Sequence, residues 1–169
     1  KTAGFDIELS GKGLNVSQLN AAANGTLYQL SYRDHTYDKV ELEGIVSPER
    51  FRGNLLVSDT ALDLSLDGEI DFVSEARNFS FTTDINSADF AALGWIPKNI
   101  QGVFSGSVDL ALQGNTIDEM IGDLYIEEGK LQTQTKTYIF SSVAAQSRLT
   151  NNIRVINLNS EDDATGLMI

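Results

Sequence analysis

Cysteine is absent from the 169 residues, which rules out disulfides and thiolate metal sites and leaves the redox compartment open. Histidine occurs once, at His35, inside the polar stretch Arg33-Asp-His-Thr-Tyr-Asp38, so no second imidazole or thiol is present to complete a metal set or a catalytic pair. That stretch reads as a solvated turn between strands. Proline occurs only twice, and no apolar run reaches the roughly 18 residues of a membrane span. Basic residues are scarce too, 12 against 24 acidic ones, and the resulting charge of -12 repels phosphate backbones, so no nucleic-acid partner is expected. Glycine-rich phosphate loops, P-loops and nucleophile elbows are missing. The many carboxylates lie spread along what reads as a solvated face, where they do little to tune one another. No enzyme, cofactor or metal site is expected. The acidic run Ser160-Glu-Asp-Asp-Ala-Thr-Gly166 does not follow the ligand order of a calcium loop and reads as a hairpin turn.

What the chain does have is alternation. Four stretches repeat apolar, any, Leu, any, Gly: IELSG at 7–11, VELEG at 40–44, LSLDG at 64–68 and, with Ala111 breaking the polar positions, LALQG at 110–114. In a β-strand the two apolar residues and the glycine point to one face and the polar residues to the other. The same period runs through Phe5, Ile7 and Leu9, through Tyr28, Leu30 and Tyr32, and through Val40, Leu42 and Val46. It continues in Phe51, Leu55 and Val57, then in Leu64, Leu66, Ile70 and Phe72, with Asp63, Ser65, Asp67, Glu69 and Asp71 opposite. Phe79, Phe81 and Ile85 follow, then Phe104, Val108, Leu110 and Leu112, and finally Leu124 and Ile126. Three stretches switch to helical spacing: 14–19, 87–94 and 116–122. Gly94 and Gly122 sit where a helix commonly stops, and Thr116 with Glu119 has capping-box spacing. The motif glycines are 33, 24 and 46 residues apart, too irregular for a solenoid period.

The expected fold is therefore all-β: an extended, curled antiparallel sheet with a few helices of one or two turns, apolar on one side and acidic on the other. A β-sandwich satisfies the same alternation and is the alternative. Glycines on the apolar face pack nothing, and in a closed core they would leave gaps, so they argue for curvature or for room for a guest. At 169 residues a single domain is expected, and the start at Lys1 and the end in Gly-Leu-Met-Ile read as a β-rich segment excised from a longer chain.

At the four glycine-ended strands, and at SADFAALG and TIDEMIGDL, the chain resembles the AsmA-like and TamB family of Gram-negative envelope proteins. The stretch 87–131 is the most similar. The resemblance implies a periplasmic segment of a parent protein anchored in the inner membrane, with a sheet folded lengthwise into a trough, the β-taco. It implies that the lining carries phospholipid acyl chains toward the outer membrane or assists protein assembly there, and that the parent works with a TamA-type outer-membrane barrel. The candidate groove lining is Phe5, Ile7, Leu9, Val40, Leu42, Leu64, Leu66, Ile70, Phe72, Phe79, Phe81, Phe104, Val108, Leu110, Leu112, Leu124 and Ile126. A binding module of an adhesin or carbohydrate-binding protein, built as a sandwich with its site in loops, is the competing function; a periplasm-spanning scaffold filled by its own side chains is a third.

Overall fold

The computed structural model describes residues 4–12, 20–32, 35–73, 76–115, 119–150 and 153–160. These form one antiparallel sheet of ten strands in strict sequence order: β1 (Gly4–Lys12), β2 (Asn20–Tyr32), β3 (His35–Val46), β4 (Arg50–Ser58), β5 (Leu62–Asp71), β6 (Asn78–Asp89), β7 (Val103–Gln113), β8 (Ile121–Gln132), β9 (Thr137–Thr150) and β10 (Ile153–Ser160). Substantial contacts between strands join consecutive strands only. Among the described residues no second sheet packs on the first, so they form no sandwich. The exposed area is 11663 Å², whereas a compact chain of 18.4 kDa exposes roughly 8200 Å². An open sheet leaves both faces in contact with solvent, and the surplus area follows from that.

The registers carry the alternation from strand to strand. On one face four apolar rows run across the strands. The first is Gly11, Ala21, Val46, Phe51, Ile70, Phe79, Leu112, Gly122, Ser147, Ile156. The second is Leu9, Ala23, Gly44, Gly53, Gly68, Phe81, Leu110, Leu124, Ala145, Leu158. The third is Ile7, Gly25, Leu42, Leu55, Leu66, Thr83, Val108, Ile126, Val143, Ser160. The fourth, Phe5, Leu27, Val40, Val57, Leu64, Ile85, Gly106, ends at β7.

The opposite face obeys a charge rule. Along one row the residues run Glu8, Asn24, Glu43, Asn54, Asp67, Thr82, Asp109, an acid alternating with an amide or hydroxyl at every strand. Among the described pairs no acid stands opposite another acid. Like charges directly opposite destabilise a strand pair, so this placement lets a strongly acidic chain keep its register. Cross-strand bonds use the same pairing: the Thr82 hydroxyl donates to Asp109 and the Ser107 hydroxyl to Asp84, both at 2.6 Å, while Asn86, skipped at the bulge, donates its side-chain amide to Asp63 at 3.0 Å.

Strands approach one another closely at glycines of the apolar rows. A Cβ added to Gly53 would meet the Glu43 carbonyl oxygen and come within 2.6 Å of the Gly44 Cα, and one added to Gly68 would meet the Ser80 oxygen and lie 2.9 Å from the Phe81 Cα. Neighbouring backbone crowds in on that side, as it does on the inner side of a bend, and only glycine admits the approach.

Local departures from the expected pattern have identifiable causes. Tyr28 and Leu30, expected on one face, do not share it: Gln29 adopts φ 55°, and the pairing of β2 with β3 lapses there without a change of register. Its side-chain amide donates to the Asp38 carboxylate at 3.0 Å. Tyr28 is left on the outer face while Leu27 and Leu30 both pack against the core. No helix occurs among the described residues. Residues 87–89, expected as helix, complete β6 after a bulge between Ile85 and Ala88, and a single turn follows in which the Leu93 amide donates to the Asp89 oxygen at 3.0 Å. Gly94 does end that turn, at φ 74°. Gly122, expected as a helix stop, pairs with Leu112 inside β8. Residues 14–19 and 116–118, and the acidic run after Ser160, lie outside the described residues.

Candidate apolar groove

The four rows make a continuous apolar face that crosses the strands in the hydrogen-bonding direction, and this face is the candidate groove. Most expected lining residues fall in the rows. Val40 is buried; Leu42, Leu64, Leu66, Ile70, Phe79, Phe81, Val108, Leu110, Leu112, Leu124 and Ile126 are half-buried. Phe5 and Ile7, 75% and 48% exposed, sit at the β1 edge. Leu9 pairs with Ala23 by backbone register. Phe72 departs from its expected place: it lies just past the end of β5, exposed on the rim, its amide donating to the Glu49 oxygen at 2.8 Å. Ile85, Val143, Ala145, Ile156 and Leu158 extend the rows and were not among the expected lining. Strands β9 and β10 carry less regular alternation, which hides their contribution in the sequence.

Glycines in the rows are covered by neighbours. The Phe81 ring lies over Gly68, the Phe51 ring reaches 3.0 Å from where a Gly44 Cβ would sit, and Ile7 reaches 2.9 Å from that of Gly25. Aromatic and branched side chains thus lie down along the floor, narrowing the groove while keeping its surface apolar.

One rim is closed by a longer connection. Residues 90–102, between β6 and β7, bring Leu93, 1% exposed, into the cluster of Val40, Val57, Ala61, Leu62 and Ala88. Phe90 stacks on Trp95 at 5.6 Å and on Phe104 at 6.3 Å. The Asp89 carboxylate accepts from the Ala91 and Ala92 amides, both at 3.0 Å, and the Phe90 amide donates to the Gly102 oxygen at 2.9 Å. The strap is therefore fixed at both ends.

His35 is not a solvated turn residue. It opens β3, its side chain is 15% exposed, and Nε2 lies 2.7 Å from Oδ1 of Asp59, whose side chain is 2% exposed. Tyr37, placed in the same stretch, meets the His35 ring edge-on at 4.8 Å and packs against the core. The Asp59 carboxylate also accepts the Ala61 amide at 2.8 Å and the Asp38 amide at 3.1 Å. Burial pushes the Asp59 carboxyl up, but the Ala61 amide, His35 and the Asp38 amide together hold it below its ordinary 3.8. This cluster ties the start of β3 to the β4–β5 turn. On the outer face Asp123 accepts from the Gln146 amide at 2.8 Å and from Arg148 at 2.9 and 3.0 Å, and both partners hold its carboxyl below the usual range. Among the described residues no group of three or more histidines, cysteines or acids is arranged to hold a metal ion. Nor is any helix there long and apolar enough to cross a membrane.

No protein-family model, curated protein or solved structure matches the chain.

Proposed function

We propose that the chain is a lipid-shielding segment: an apolar β-trough in which acyl chains lie along the rows while headgroups stay in water. The observation that carries this reading is the continuity of the rows, apolar from strand to strand on one face of a sheet that, among the described residues, no second layer covers. A covered core needs no accessible groove, and a soluble protein gains nothing by leaving so much apolar surface half-open unless something apolar occupies it. Moving an acyl chain of about 16 carbons through water costs on the order of 12 kcal/mol at about 0.8 kcal/mol per methylene. A lined trough removes most of that barrier. The acidic outer face keeps the open sheet soluble.

The resemblance to AsmA-like and TamB proteins supports the same reading and adds a setting: a periplasmic segment of an inner-membrane-anchored parent that moves phospholipid to the outer membrane or assists assembly there with a TamA-type barrel. No catalytic role is proposed. A second reading, a scaffold filled by itself, is favoured by one feature, the side chains lying over Gly25, Gly44 and Gly68.

Photoreactive residues at positions 66, 110 and 67 decide between them in cells. Leu66 and Leu110 are in the rows, and Asp67 faces out between Asn54 and Thr82. Lipid adducts at 66 and 110 with none at 67 are expected. Equal labelling at all three, or none, would leave the scaffold. Leu66→Asp and Leu110→Arg should impair passage, because an unpaired charge in an apolar lining costs several kcal/mol. Asp67→Lys should not. Melting curves must accompany both, since a damaged fold mimics a blocked groove.

A further inference from the structure

We propose that the rim carrying the β6–β7 and β8–β9 connections is the headgroup side of the groove, with Lys98 and Lys136 facing the phosphate of a phospholipid whose acyl chain lies against the Trp95–Phe90–Phe104 stack. This rests on the acyl-chain reading and adds to it the orientation of the ligand and the side chains that meet its headgroup.

Because the strands run alternately up and down, the 90–102 and 133–136 connections emerge on the same rim, next but one to each other along the sheet. In a chain of net charge -12, each of these two segments contains one lysine and no acid. Lys98 and Lys136 are both exposed. Asp89, the acid that precedes the strap in sequence, is engaged by the Ala91 and Ala92 amides. These two connections thus set two exposed cations and no acid along this stretch of rim, where an anionic group meets attraction despite the chain's net charge.

The same strap offers apolar surface. Trp95 is 51% exposed and Ile100 50%, while Phe90 joins Trp95 to Phe104, which is 8% exposed and leads onto the apolar face of β7. Exposed aromatic surface beside a lysine, continuous with an apolar groove, matches an amphiphile with an anionic head and an apolar tail. The strap's backbone is already ordered by bonds from Trp95 N to the Phe90 oxygen at 2.9 Å and from Ile100 N to the Pro97 oxygen at 2.9 Å, so binding pays little to fix it. The fourth apolar row stops at Gly106, beside Phe104, so the stack stands at the end of that row.

Trp95 is the single tryptophan and reports directly on this contact. The full chain would be titrated, below micelle-forming concentration, with lysophosphatidylglycerol brominated on its acyl chain and, in parallel, with brominated monoacylglycerol, which has no phosphate. Both should quench Trp95. Lys98→Glu with Lys136→Glu should weaken the phospholipid about tenfold at low salt, the scale of two exposed ion pairs, and leave the monoacylglycerol unchanged. Equal phospholipid affinity in wild type and double variant would overturn the headgroup assignment. Binding detected by calorimetry without Trp95 quenching would overturn the acyl contact while leaving the groove intact. Leu66→Trp in a Trp95→Phe background separates the two levels: quenching there but not at Trp95 sinks this inference alone, and binding of neither probe by wild type sinks the acyl-chain reading itself. Circular dichroism of each variant excludes misfolding as the cause.

Discussion

Phe81 lies across Gly68, its register partner on the adjacent strand, with a ring carbon 2.5 Å from the point a Gly68 Cβ would occupy. The glycine is therefore a seat for the ring, and the absent side chain is part of the packing. Gly68→Ala forces the Phe81 ring and the Ser80 carbonyl to give way together, and overpacking of this kind costs about 1–3 kcal/mol. Gly4, where an added Cβ meets Tyr28 at an ordinary 3.6 Å, is the control. Urea denaturation should show a lowered midpoint for Gly68→Ala and almost none for Gly4→Ala.

The His35–Asp59 cluster predicts a pH dependence. Asp59 has its carboxyl held below the ordinary 3.8 in the folded chain, so it contributes stability that is fully present above that value and is lost as pH falls through the lower folded value. Asp59→Asn should cost about 2 kcal/mol at neutral pH, because a charged acceptor for two backbone amides and His35 is lost in a buried position. The gap between wild type and variant should close below about pH 3.8, as thermal melts across pH 2 to 7 would read. His35→Ala should also destabilise the chain at neutral pH. A melt of His35→Ala identical to wild type would contradict the bonded placement of this residue.

The charge rule on the outer face is testable by breaking it. Asn54→Asp would put three acids in line, with Glu43 and Asp67 on either side. A loss of about 0.5 kcal/mol is expected in low salt and should largely vanish in 1 M salt, because these groups are exposed and screened. A loss unchanged by salt would point instead to a packing role for Asn54.

Shape follows from the single layer. Ten strands spaced about 4.8 Å apart give a sheet near 45 Å along its axis. Small-angle scattering should give a radius of gyration above the roughly 15 Å of a compact chain of this length. A near-spherical particle of that compact radius would refute the open sheet.

Period-2 alternation alone determined much of this protein. It specified an all-β chain, the two-sidedness of the sheet and most of the apolar rows, from Val40 and Leu42 through Leu110 to Ile126, because a strand's geometry sends alternate residues to opposite faces wherever it is regular. It could not specify where alternation slips. Gln29 and Glu128 both take positive φ, at 55° and 50°, and neither residue type announces this. The helical spacing at 87–94 was equally ambiguous: Ala88 is 1% exposed because it pairs with Phe104 after a bulge. Whether the apolar face would be closed by a second sheet or left as a groove was also undecided, since both want the same pattern. Strictly sequential pairing settled that. The His35–Asp59 contact joins residues 24 apart, and the strap brings Leu93 to Val40 and Val57. Such juxtapositions depend on how the strands curl and where the long connection lands, which are properties of the assembled sheet and are written in no local stretch of the chain.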